Sequence, residues 1–223
     1  MRRRGAIVSD RFRHVLKRAI DRGCLGLVAP AAAMCLIEAW ASDHSEATFT
    51  FWAQAFALAP GVPGVFLRRA FYRCTLEACA SSFFIGFGAM CSHRSVTIED
   101  DVYIGPYAIV GSSRLRRGCL IGSRCSILSG GALHTLDENL RWTAMDRTRV
   151  RSIDIGEYAW LGEAAVVLAD VGASAMVAAG AVVSSAVPPE TMVGGNPARF
   201  VRRLRIRPAD EEVPDVPATV SVR

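Results

Sequence analysis

The chain has 223 residues, enough for one domain with an appendage or two small domains, and enough to bury a core without disulfide staples. Its seven cysteines are an odd number with no CxxC spacing, which argues against a disulfide framework or a zinc cluster and points to a reducing cytoplasm. The net charge of +5 is concentrated at one end, where residues 1–22 hold seven arginines and one lysine against Asp10 and Asp21; the rest is close to neutral, and no nucleic-acid partner is expected.

The basic end leads into the apolar run Cys24 to Trp40. That run is seventeen residues long and contains Gly26, Pro30 and Glu38, so it makes a poor transmembrane span. The basic region before it is too long for a secretory signal, and no small-x-small site follows Trp40. Two readings remain: a helix packed on the protein's own body, which is preferred, and a helix lying in the plane of an anionic membrane surface at the inner face of the membrane. Residues 1–80 read as a helical region, with segments Arg11 to Arg22, Ala31 to Ala41 and Thr50 to Ala59, a turn at APGVPG (59–64), and a further helix from Val65 in VFLRRAFYRCTLEAC. The chain changes character at Ser81. Residues 205–223 carry prolines and acids without a periodic apolar face and read as a flexible tail.

From Ile98 aliphatic residues recur every six positions, at Ile104 and Val110, then one residue early at Leu115, then at Ile121 and Ile127. The rhythm resumes at Ile155, Leu161 and Val167, contracts by two to Val171, and continues through Val177 and Val183. Four places after a start stand Val102, Ala108, Cys119, Cys125, Ala159, Ala165, Ala175, Ala181 and Val187, all small, and the place directly after a start is often glycine. A large inward residue, a glycine permitting a tight backbone and a small inward residue describe short strands meeting at corners. Three strands close one triangular coil, so about eighteen residues advance the chain by one sheet spacing of ~4.8 Å. The fold class expected is mainly β, a parallel β-helix of hexapeptide repeats with an N-terminal helical region. An antiparallel barrel would need period-two alternation over longer strands, which is missing.

The rhythm stops between Ser129 and Ile153, and the gap carries His134 within LHTLD (133–137). With IGEYAWLG (155–162), VAAGAVVSSAVPP (177–189) and GGNPARFV (194–201) following in order, the sequence resembles the hexapeptide-repeat acyltransferases, especially the branch that acetylates sugars, over about Ser81 to Leu204. The resemblance implies a left-handed parallel β-helix over residues 81–204, a homotrimer with sites between subunits, acetyl-CoA as acyl donor and no metal. It implies that the inserted loop, 130–152, presents His134 as general base. An imidazole suits that task, being mostly neutral at cellular pH and basic enough to accept a hydroxyl proton. Asp137 either orients the ring or caps a turn.

By the same resemblance Trp160 walls the catalytic cleft, extended backbone near Gly162 and Ala179 bonds the pantetheine arm, and Arg199 meets the nucleotide phosphates. Two positions depart from the pattern. Ser184-Ser185 stands where Thr-Lys is usual, removing one phosphate-binding lysine, and Glu163 places a carboxylate near an anionic cofactor. Cys119 and Cys125 fall on inward positions and read as core filler rather than acyl-carrying nucleophiles. His93, Ser112 and Ser113 either face the acceptor or are structural. The acceptor implied is a sugar hydroxyl in polysaccharide or glycoconjugate biosynthesis; acetylation of an amino sugar and a non-catalytic binding protein are the alternatives.

Overall fold

The hexad pattern sets the architecture. In the computed structural model, which describes residues 2–42, 45–129, 134–144 and 150–204 with side chains from residue 19 onward, every aliphatic start from Ile98 to Val183 is buried. So is every small residue four places on. The strands between them stack into three sheets, the faces of a β-solenoid of about six turns. The first face holds β1 (Ala78–Cys79), β4 (Thr97–Ile98), β7 (Ser113–Leu115) and β10 (Ile153–Ile155). The second holds β2 (Phe83–Ile85), β5 (Val102–Ile104), β8 (Leu120–Ile121), β11 (Trp160–Leu161), β13 (Met176–Val177) and β15 (Thr191–Gly194), closed by antiparallel β16 (Arg199–Arg203). The third holds β3 (Met90–Cys91), β6 (Ile109–Val110), β9 (Ser126–Ile127), β12 (Val166–Val167) and β14 (Val182–Val183). The sheets begin at Ala78, three residues before the change of character at Ser81.

Glycine has a different job from the one its position suggests. Where a corner has left-handed backbone after a start, it falls three places on, at residues that are mostly not glycine: Asp101, Tyr107, Arg124, Tyr158, Ala164 and Ser174 have φ between 54° and 61°. The glycine directly after a start instead lies against the next coil. A Cβ on Gly162 would come within 2.5 Å of the Ala179 nitrogen and 2.8 Å of the Val177 carbonyl oxygen. Coils stacked at the sheet spacing leave no room there for a side chain.

The insertion after β9 does not disturb the stacking. Ile121 pairs with Leu161 and Ile127 with Val167 across it, just as Ile104 pairs with Ile121 below it. Where the repeat contracts to Val171, the first face thins to single-residue bridges, Ile155 to Val171 and Val171 to Val187, because too few residues remain between corners for a strand.

The helical region covers one end of this coil. Arg2–Ala41 forms a single helix, α1, rather than two. Pro30 and the mid-helix glycines Gly23 and Gly26 cost about 3 and 1 kcal/mol each, but Val28, Ala31, Ala32 and Cys35 on one face are buried, joining a core with Phe49, Phe71 and Tyr72 that runs into the coil interior. Helices α2 (Ala47–Ala57) and α3 (Gly61–Thr75) pack beside α1; the proline turn expected at 59–64 contributes the first residues of α3. Arg68, a basic residue of the kind expected at a surface, is almost fully buried. Its Nε donates to the Ile85 carbonyl and its Nη1 to the Ala59 carbonyl at 2.7 Å, tying the turn to the first coil. The Cys91 amide donates to the Tyr72 hydroxyl at 3.0 Å.

A second tie runs through acids of α1 and the α1–α2 connection. Glu38 accepts from the Ser45 hydroxyl, the amides of Thr48 and Phe49, and the Arg94 guanidinium. Burial pushes its carboxyl up, but these donors and the Arg94 charge outweigh burial and hold it down at about 2. Asp21 pairs with Arg69 of α3.

Candidate functional site

His134 sits on a small hairpin that projects from the solenoid. Leu136 bridges Trp142, the Thr143 amide donates to the Thr135 carbonyl at 2.8 Å, and the Asp137 amide donates to the Arg141 carbonyl at 2.9 Å. Asp137 takes the turn-capping role: its Oδ1 accepts from the amides of Asn139 and Arg141, at 2.8 and 2.9 Å. It does not orient the ring. That task falls to the Thr143 carbonyl, 2.9 Å from His134 Nδ1. A carbonyl only accepts, so Nδ1 carries the proton and the neutral ring presents Nε2 with its lone pair. His134 is exposed, as are Leu136, Leu140 and Trp142 around it. Leu133 and the flanking segments 130–132 and 145–149 lie outside the described residues.

The other residues expected at the site separate into groups. Gly162 and Ala179 stack in successive coils at the edge between the second and third faces, and the Gly162 amide donates to the Val177 carbonyl at 2.7 Å. Trp160 lies on the second face between Leu120 and Met176, half exposed. The His134 hairpin leaves from the edge between the third and first faces. Among the described residues, no hydrogen bond joins His134 to Trp160 or to the Gly162–Ala179 corner.

Ser184 is exposed next to Ser185. Ser185 and Arg199 do come together, in a groove of about 270 Å³ also lined by Pro188, Phe200 and Arg203. Arg203 was indistinguishable in sequence from the arginines at 202 and 205. The groove thus holds two cations despite the serine at position 185. The carboxylate of Glu163, unwelcome near an anionic cofactor, is paired with Arg124 at 2.7 Å.

The remaining cysteine and serine candidates are structural. Cys119 and Cys125 are fully buried, Cys125 Sγ is 3.0 Å from the Gly162 carbonyl, and burial pushes the Cys119 thiol up to about 12, so neither offers a thiolate. Ser112 and Ser113 are buried rather than facing an acceptor: the Ser112 amide donates to Ser129 Oγ, the hydroxyls of Ser95 and Ser112 are 3.0 Å apart, and Ser113 Oγ donates to the Gly111 carbonyl. His93 is bound through Nδ1 to Glu46 at 2.7 Å, on the rim of a pocket of about 490 Å³ between α2 and the first coils. Burial raises the Glu46 carboxyl, but the bonds from His93 and the Arg94 amide outweigh it and leave it lowered.

The fold is a hexapeptide-repeat β-solenoid, a class defined by the buried hexad starts and three parallel faces. No family model matches the sequence. Similar solved structures include a maltose O-acetyltransferase from Clostridium difficile 630, with TM-score 0.56 and 16% identity, covering 72% of this chain and 87% of that one. The hexapeptide-repeat-containing acetyltransferase VCA0836 from Vibrio cholerae is similar with TM-score 0.51 and 22% identity, covering 71% of this chain and 90% of that one. At these identities the likeness is one of fold.

Proposed function

We propose that the protein is an acetyl-CoA-dependent O-acetyltransferase acting on a sugar hydroxyl in polysaccharide or glycoconjugate biosynthesis, on the cytoplasmic side of the membrane. The observation that carries this reading is the tautomer of His134: Nδ1 is tied to the Thr143 carbonyl on a hairpin outside the coils, leaving Nε2 as a positioned base. Nε2 takes the acceptor hydroxyl's proton as its oxygen attacks the thioester carbonyl. The tetrahedral oxyanion meets backbone amides at the solenoid corners. The C–S bond then breaks, and the imidazolium returns its proton to the departing thiolate. Transfer is direct, since the buried thiols offer no covalent intermediate.

The donor's pantetheine arm runs along the Gly162–Ala179 corner, and its phosphates meet Arg199 and Arg203, a pair that offsets the lysine missing at Ser185. The insertion that carries His134 leaves the prism at a different edge from that corner, so a second copy packed alongside would bring the two together, which supports the homotrimer. The apolar row Phe84, Tyr103, Leu120 and Trp160 on the second face gives the copies something to cover, and so does the exposed hairpin around Trp142. Trp160 then walls the cleft from a neighbouring copy.

The test is to incubate purified protein with acetyl-CoA and a panel of nucleotide sugars and oligosaccharides, following free thiol and mapping the product. An ester on a sugar hydroxyl is the expected outcome. Thiol release only with amino sugars would move the assignment to N-acetylation, and none with any acceptor would point to a binding protein.

A further inference from the structure

Helix α1 is apolar on two faces, and the body of the protein covers one of them. Val28, Ala31, Ala32 and Cys35 are buried inward, while Leu27, Met34, Leu36, Ile37 and Trp40 stand in solvent, Trp40 at 89% exposure. Segment Ala19–Ala41 has a mean hydropathy high enough for a bilayer span, yet much of its surface has no protein against it. Its two acids face inward. Asp21 pairs with Arg69 and Glu38 with Arg94, so from Gly23 to Ala41 the outward face carries no charge at all. The preceding residues, 1–22, hold eight cations against two acids, and Arg22 is exposed.

The geometry points to the outer face of α1 as a docking surface for an anionic lipid bilayer, with the helix lying in the membrane plane. The charge pattern selects this occupant over a second copy of the chain: α1 packed parallel on α1 would bring the eight cations of each copy together and an antiparallel pair would leave them without counter-charges, whereas an anionic headgroup layer neutralises them while the acyl region takes Ile37 and Trp40. An in-plane pose is selected over a span because the inward face is held by the core shared with α3; crossing would strip Val28 and Cys35 from it. Acetyl transfer is not assumed in this inference. A solenoid docked this way would work at the bilayer surface, where a lipid-linked acceptor is confined.

The experiment is flotation of the full-length protein with vesicles of phosphatidylcholine alone or with added phosphatidylglycerol, at low and high salt, alongside sedimentation. The anionic vesicles are expected to carry at least about tenfold more protein, with high salt releasing it. The double variant Ile37→Glu/Trp40→Glu, altered only at exposed positions, is expected to lose flotation while keeping the wild-type melting temperature and sedimenting mass. Three results would overturn the inference: wild type remaining in the aqueous fraction, a double variant that floats equally well, or a double variant of lower mass, which would make the face a contact between copies. Salt-resistant flotation on both vesicle types would refute the in-plane pose.

Discussion

Gly162→Ala tests the claim that the hexad glycines serve coil stacking and not corner conformation. The new Cβ would lie 2.5 Å from the Ala179 nitrogen, 2.8 Å from the Ala178 carbonyl carbon and 2.8 Å from the Val177 oxygen, all backbone atoms with no rotamer to yield. The coils must part locally, which strains the 2.7 Å bond from the Gly162 amide to the Val177 carbonyl. Overpacking costs about 1–3 kcal/mol and the weakened bond about 1 kcal/mol. For a domain of this size the sum lowers the melting temperature by roughly 5–15 °C. Gly180→Ala is the control. Gly180 has φ +68° and nothing within 4 Å of where a Cβ would stand, so it incurs only the left-handed penalty of about 1 kcal/mol, or roughly 3 °C. Differential scanning calorimetry of the two variants decides the matter. Equal losses, or a larger loss at Gly180, would refute the stacking argument.

His134→Ala removes a surface hydrogen bond on a hairpin outside the core, so melting and acetyl-CoA binding should stay near wild type while turnover falls ~100 to 10,000-fold. Retention of most activity would move the base elsewhere. Ser185→Lys adds a third cation to the groove of Arg199 and Arg203 and should tighten coenzyme A binding about fivefold, for about 1 kcal/mol from a partly exposed pair, with a smaller effect on the 3′-dephospho analogue in calorimetric titration. Glu38 has a folded-state carboxyl held at about 2 against an ordinary value near 4.5, so its contribution to stability is full above about pH 4.5 and lost as pH falls toward 2. Glu38→Gln should therefore be less stable than wild type at pH 7, by about 3 kcal/mol at most, with the gap closing in acid denaturation curves.

Much of the coil was legible because its period is covalent. A six-residue side of a triangle forces an inward residue at each start and another four places on, and that rule needs no knowledge of what lies across the interior. The candidate site was legible in part. His134 stood out because a regular pattern broke around it, whereas Arg203 did not, since a cation on a groove and a cation in solvent leave the same mark in a basic segment. Arg68 was misleading for a related reason. Carbonyls at the end of α2 and at Ile85 make a pocket for a guanidinium, and carbonyls are invisible in a sequence.

Periodicity and composition by themselves determined the repeat, its interior residues, the inserted loop and the asymmetry of charge, because each of these follows from the order of side chains along the chain. Only the tertiary structure decided that α1 is continuous, that Asp21 and Glu38 turn inward, that a carbonyl orients His134, and that the hexad glycines face a neighbouring coil. Each of those depends on a backbone atom or a partner far away in sequence, brought close by stacking at the sheet spacing.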